Sequence, residues 1–202
     1  MRDDRPLFGA ITPVDRHVDL AYRIVFGKRA GEYAAIFAKD NAAGSIDSSQ
    51  LEQIARKALE PFERTGGENP FEIQNDLQGM MQDLVGIVRT EEELRQALDG
   101  LAELRKRAER AFAPGNIDFN PGWHTALDLH NLLTVSEAIT RAAIERKESR
   151  GGQYRDDYPA KNAEFGKINH TLKKDADGTM QIERVPVPEM PAELKQIIEE
   201  MG

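Results

Sequence analysis

The strongest constraint on the fold is a succession of three apolar stripes at helical spacing between Asn69 and Ala143. The first is Ile73, Leu77, Met80 and Leu84, in a segment that opens with Asn69 as N-cap and Pro70 at the first helical position. The second is Leu94, Leu98, Leu101, Leu104 and Ala108, behind a capping box of Thr90 and Glu93. The third is Leu129, Leu132, Leu133, Ser136, Ile139 and Ala143, after the turn-rich "APGNIDFNPG". Helices with one apolar face must bury it, and three joined by short loops do so against one another. An antiparallel three-helix bundle over residues 67–150 is the predicted core.

Two helices precede the bundle. From His17 to about Lys39, Leu20, Ile24, Gly27, Gly31 and Ala34 fall near one face, and the two glycines read as a packing device that lets another backbone approach. "GKRAG" lacks the Gly-Lys-Ser/Thr ending of a phosphate loop. Asp47 and Gln50 open a second helix, expected to end near Glu60 because Pro61 disturbs it. Gly66 and Gly67 are the expected domain boundary. Beyond residue 150, "KINHTLKKDADGTMQIERVPVP" alternates around Asp177-Gly178 as a hairpin would, and "PAELKQIIEEM" reads as a final short helix. The predicted fold class is therefore mainly α: the antiparallel bundle, two preceding helices, and a tail with a β-hairpin and a short C-terminal helix.

Charge and residue types narrow the chemistry. A formal net charge of -8 repels nucleic-acid phosphates and anionic lipid, so no nucleic-acid partner is expected. The chain has no cysteine, which excludes disulfides, thiolate metal sites and cysteine nucleophiles of its own. No segment is apolar enough over the roughly 20 residues that span a bilayer, so no direct membrane span and a cytoplasmic location are expected. His124 and Asp128 stand at i and i+4 on one helix face, but His130 points elsewhere, and Asp175 and Asp177 lack the later ligands of a calcium loop. Met80 and Met81 read as core filler, and Trp123 as an aromatic anchoring a loop. No dinucleotide fingerprint and no nucleophile elbow is present, so no catalytic, cofactor-binding or metal residue is expected in the chain itself.

The densest polar stretch is the exit from the third helix, "ERKESRGGQYRDDYP", Glu145 to Pro159. Two arginines that can form forked contacts, with glycines that let the chain pass close to a surface, read as a docking motif made of Glu148, Ser149, Arg150, Gly151, Gly152, Gln153, Arg155, Asp157 and Pro159. The competing reading is a helix C-terminus with Gly151 in a left-handed conformation and its charges solvated.

The longer form "TRAAIERKESRGGQYRDDYP" resembles the motif that closes the helical domain in flavoprotein subunits of succinate dehydrogenases and fumarate reductases. "ENPFEIQNDLQGMMQDLVGIVR", "NPGWHTALDLHNLLTVSEAI" and "EFGKINHTLKKDADGTMQIERVPVPEMP" resemble the same C-terminal region, and "VFGKRAGEYAA" resembles the helix that ends that family's flavin-binding domain. Gln153 stands where the family usually has histidine, which keeps a hydrogen-bonding side chain without a titratable ring.

The resemblance assigns residues 23–66 to a helical remnant of the flavin-binding domain, 67–150 to the bundle and 151–202 to the exit motif, hairpin and tail. It leaves residues 1–22 without a clear relation. "LFGAITPVDRHVDLAYRI" replaces the glycine-rich stretch that the family carries upstream. The implied role is the C-terminal part of such a subunit, as a split chain, truncated product or fragment without the FAD-binding and catalytic region. The intact family couples succinate and fumarate at FAD and passes electrons to an iron–sulfur subunit. Partners would be the flavin-binding domain and that subunit, with attachment to the inner face of the membrane through partner subunits, and FAD is not expected on this chain alone. Two alternatives stay open: the C-terminal part of an L-aspartate oxidase, which shares the exit motif, and a stand-alone helical adaptor or assembly module.

Overall fold

The structure is a computed structural model that describes residues 13–201, with side chains from 23 to 200. The side chains of residues 1–22, the stripe residue Leu20 among them, thus lie outside the described residues. The chain divides into two compact units, 1–52 and 53–202, and the division falls inside the second helix.

The first unit holds α1 (Pro13–Asp40) and the start of α2 (Ser48–Glu63). Asp47 caps α2 by accepting the amide N–H of Ser49 at 2.8 Å and of Gln50 at 3.4 Å. A Cβ added at Gly27 or Gly31 would meet no atom within 4 Å, so the close approach expected of that pair has no counterpart among the described residues.

In the second unit α2 passes its expected end and continues through Pro61 to Glu63. A proline near the end of a helix removes one donor, and its fixed φ is helical, so the last turn survives. The Pro61 carbonyl then accepts the amide of Ala113 at 3.0 Å. The Trp123 indole Nε1 donates to the Ala58 carbonyl at 2.7 Å, and its ring lies 5.2 Å from that of Phe62. Gly67 permits a close crossing, because a Cβ there would stand 2.1 Å from the Arg110 carbonyl oxygen.

Three helices share the core: α3 (Pro70–Leu84), α4 (Glu91–Ala108) and α5 (Pro121–Glu145). Asn69 caps α3, Asn120 caps α5, and Thr90 and Glu93 close a full capping box on α4. Acidic residues fill the first turn of α4 and Arg105, Lys106 and Arg107 its last, matching the helix dipole. Ile73, Leu77, Leu101, Leu104, Leu129 and Leu133 form the buried centre, each contributing about 1.5–3 kcal/mol by leaving water. Met80 and Met81 pack against it as fillers.

The inner face of α5 differs from the expected stripe. Leu132 and Ile139 are 37% and 44% exposed, while Ala126 and Thr140 are buried. The buried set Ala126, Leu129, Leu133, Ser136, Thr140 and Ala143 alternates steps of three and four, the seam of a helix with neighbours on one narrow side. Leu132 and Ile139 sit one position off that seam.

The tail contains the antiparallel hairpin β3 (Ile168–Lys174) and β4 (Met180–Pro186), joined around Asp177 and Gly178, with Gly178 at φ 89°. Helix α6 (Ala192–Met201) follows. The periodicity did not reveal a two-residue parallel ladder: β1 (Val88–Arg89) pairs Val88 with Tyr154 and Arg89 with Arg155, the latter residues forming β2 (Tyr154–Arg155). It ties the helix exit to the connection between α3 and α4.

Candidate functional site

Helix α5 ends at Glu145, and its last carbonyls need donors from outside the helix. Arg155 supplies one. Its Nη1 donates to the Ala143 carbonyl at 2.6 Å, and the side chain is fully buried. Its Nε and Nη2 grip both oxygens of Asp157 at 2.7 Å each, and its guanidinium lies 5.1 Å from the centre of the Tyr158 ring. The Asp157 carboxylate also accepts the Glu91 amide at 3.0 Å, at the first residue of α4. The Arg155 fork holds Asp157 below the usual carboxylate range, and the Asp157 charge raises Arg155 in turn.

Glu148 is the second fully buried charge. Its carboxylate accepts from Arg150 Nε at 2.8 Å and Nη2 at 3.0 Å, from Arg146 Nη1 at 2.5 Å, and from the Asn162 amide at 2.8 Å. These donors, Arg150 foremost, lower its pKa to about 2. Arg146 also reaches the carbonyls of Phe165 and Ile168 at 3.1 and 3.2 Å, which fixes the start of the hairpin against the end of α5. Ser149 Oγ donates to the Tyr158 carbonyl at 2.9 Å and accepts the Arg155 amide at 2.9 Å.

Gln153 uses both ends of its amide. Nε2 donates to the Arg146 carbonyl at 3.0 Å and the Glu148 carbonyl at 3.3 Å, and Oε1 accepts from Arg89 Nη1 at 3.1 Å. Arg150 and Gln153 exchange backbone hydrogen bonds of 3.0 and 3.2 Å across a tight turn, in which Gly151 adopts φ 61°. The left-handed glycine expected at this exit thus serves that turn rather than the helix terminus.

The expected motif residues are brought together, but they do not all face outward. Glu148, Ser149 and Arg155 are buried inside this chain, Arg150 and Gln153 are half-buried, and Gly151, Gly152, Asp157 and Pro159 are exposed. The charges of Glu148, Arg150, Arg155 and Asp157 are all paired within this chain. Any contact with another surface falls to the exposed members. Sequence reasoning missed Arg146, which pairs with Glu148 two residues on and reaches the hairpin base, and Arg89, Glu91 and Asn162, whose partners lie across chain reversals. The one available signal was the freed carbonyls at the end of α5, which demand nearby donors.

Among the described residues no group of three histidine or acidic side chains could hold a metal, and no helix is long and apolar enough to cross a membrane. Nor do these residues fit FAD. The ladder β1 runs into α4 through Thr90 with no glycine-rich turn to receive a pyrophosphate, and the remaining strands form a hairpin.

A family model described as "Fumarate reductase flavoprotein C-term" matches residues 74–197. The fumarate reductase flavoprotein subunit of Haemophilus influenzae is 34% identical over 174 residues, which is 83% of this chain and 28% of that protein. Among solved structures, Mycobacterium smegmatis Sdh1 in complex with UQ1 superposes with TM-score 0.77 at 37% identity over 86% of this chain and 30% of its own. An adenosine-5-phosphosulfate reductase in complex with sulfite superposes with TM-score 0.65 at 26% identity, covering 76% of this chain and 27% of its own. The chain thus spans less than a third of the proteins it matches. With the buried exit motif set between the core helices and the hairpin, these matches show that the chain belongs to the fumarate reductase flavoprotein C-terminal family.

Proposed function

We propose that this chain is the C-terminal helical domain of a succinate dehydrogenase or fumarate reductase flavoprotein subunit, working in succinate–fumarate interconversion. FAD and the reacting carbons belong to a flavin-binding domain, and electrons leave through an iron–sulfur subunit that links the assembly to the inner face of the membrane. The role of these residues is structural and positional. The buried pairs of Glu148 and Arg155 hold α4, α5 and the hairpin base in one fixed relation, and exposed Gly151, Gly152 and Pro159 are the members left to meet the flavin-binding domain.

The observation that carries this reading is the family match over residues 74–197, which includes the whole exit motif. The superposed adenosine-5-phosphosulfate reductase makes the substrate the point to test. The complex isolated through this chain should reduce an electron-accepting dye with succinate and should not do so with sulfite and AMP together. Sulfite-driven reduction without succinate activity overturns the proposed reaction while leaving the family intact.

A further inference from the structure

We propose that the groove between α2 and α5 binds a small aliphatic carboxylate. The groove encloses about 340 Å³, within the ordinary range for small-molecule sites. Its floor is made by Ala108, Ala111 and Ala126 of the core, with half-buried Leu127 beside them and Ile54 and Pro61 on the α2 side. The only polar groups on its wall are Lys57, Glu60, Arg64 and His130. Glu60 is engaged by Arg64 at 3.2 Å, and Arg64 also donates to the Ala111 carbonyl. The Lys57 ammonium and the His130 imidazole make no hydrogen bond or ion pair among the described residues.

In an acidic chain this is a local excess of cation over a hydrocarbon floor. An anion with a short apolar body answers both features. The walls are built rather than incidental, because within the second unit the Trp123 bond to Ala58 and the Ala113 bond to Pro61 fasten the last turns of α2 to α5 and the segment before it. Burial, Lys57, Arg105 and Arg64 lower the pKa of His130 against the opposing pull of Glu109. A bound carboxylate reverses that balance by favouring imidazolium, so binding takes up a proton and tightens as the pH falls through the imidazole range.

The test uses the full chain, hexanoate as probe and the NMR signals of the histidine rings, with His130 assigned through His130→Gln. Hexanoate should shift His130 saturably and leave exposed His124, on the same helix, unmoved. Lys57→Gln, a change on an exposed side chain, should weaken binding about tenfold, as loss of one charge-assisted hydrogen bond does. Hexanol, with the same tail and no charge, should bind at least about tenfold more weakly for the same reason. A shift that grows without saturating, equal binding of hexanol and hexanoate, or no effect of Lys57→Gln overturns the proposal.

Discussion

The Arg155 guanidinium holds the Asp157 carboxylate through two parallel bonds of 2.7 Å, and the same carboxylate receives the first amide of α4 from Glu91. One ion pair therefore closes the end of α5 and the beginning of α4 together. Replacing Arg155 by Ala takes the buried donor from the Ala143 carbonyl and leaves the partly exposed Asp157 carboxylate without its fork, and should cost about 2–3 kcal/mol. Arg155→Lys keeps the charge but cannot fork, and should recover only part of that loss. Urea unfolding at constant slope measures both, and equal midpoints for Lys and wild type would show that the fork is unimportant.

Glu148 makes acid stability dependent on one buried carboxylate. Its pKa is about 2 in the folded chain against an ordinary 4.5, so the unfolded chain takes up the proton first as pH falls. Its stabilisation is complete above the ordinary value and is lost as the pH falls from 4.5 towards about 2. Glu148→Gln should lower stability at neutral pH by about 3 kcal/mol, because it sets an amide against two arginines. It should also flatten the pH dependence in that acid window. Urea midpoints collected across the window measure the slope, and an unchanged slope contradicts the assignment.

At Gln153 the amide makes three side-chain bonds, to Arg146, Glu148 and Arg89. A neutral imidazole offers one donor and one acceptor, so Gln153→His leaves one carbonyl unpaired and should cost about 1 kcal/mol. Arg89 would oppose protonation of that ring, and the variant should lose further stability as pH falls through the imidazole range. Thermal unfolding at neutral and mildly acidic pH separates the two effects. A variant as stable as wild type at both would show that the three bonds are not limiting.

Two adjacent glycines should behave differently. A Cβ at Gly67 would meet the Arg110 carbonyl at 2.1 Å, beside the Glu68 amide that donates to the same oxygen, whereas one at Gly66 meets nothing within 4 Å. Gly67→Ala should destabilise by about 2 kcal/mol through forced backbone movement, with Gly66→Ala close to neutral. Differential calorimetry of the pair checks this.

The elements most legible in the sequence were those whose signals are local. The α4 capping box, the Asn69 cap and the Asp177-Gly178 turn each lie within a few residues, and each stands where expected. The seam of α5 was partly misplaced because Leu132 and Ile139 are as apolar as their neighbours, and only the position of α3 and α4 decides which leucines face inward. The exit motif was legible as a special stretch but not in its direction. Charge density reads as surface, and the burial of Arg155 depends on the Ala143 carbonyl at the end of α5 and on the pairing of Arg89 with Arg155, which no local pattern encodes.

The most direct test of the proposed place in a flavoprotein subunit is the visible absorption spectrum of the complex that copurifies under native conditions with this chain, tagged in its source cell. Flavin and iron–sulfur bands in fixed proportion to the chain are the expected result. A colourless preparation with the chain fully recovered and folded would contradict it.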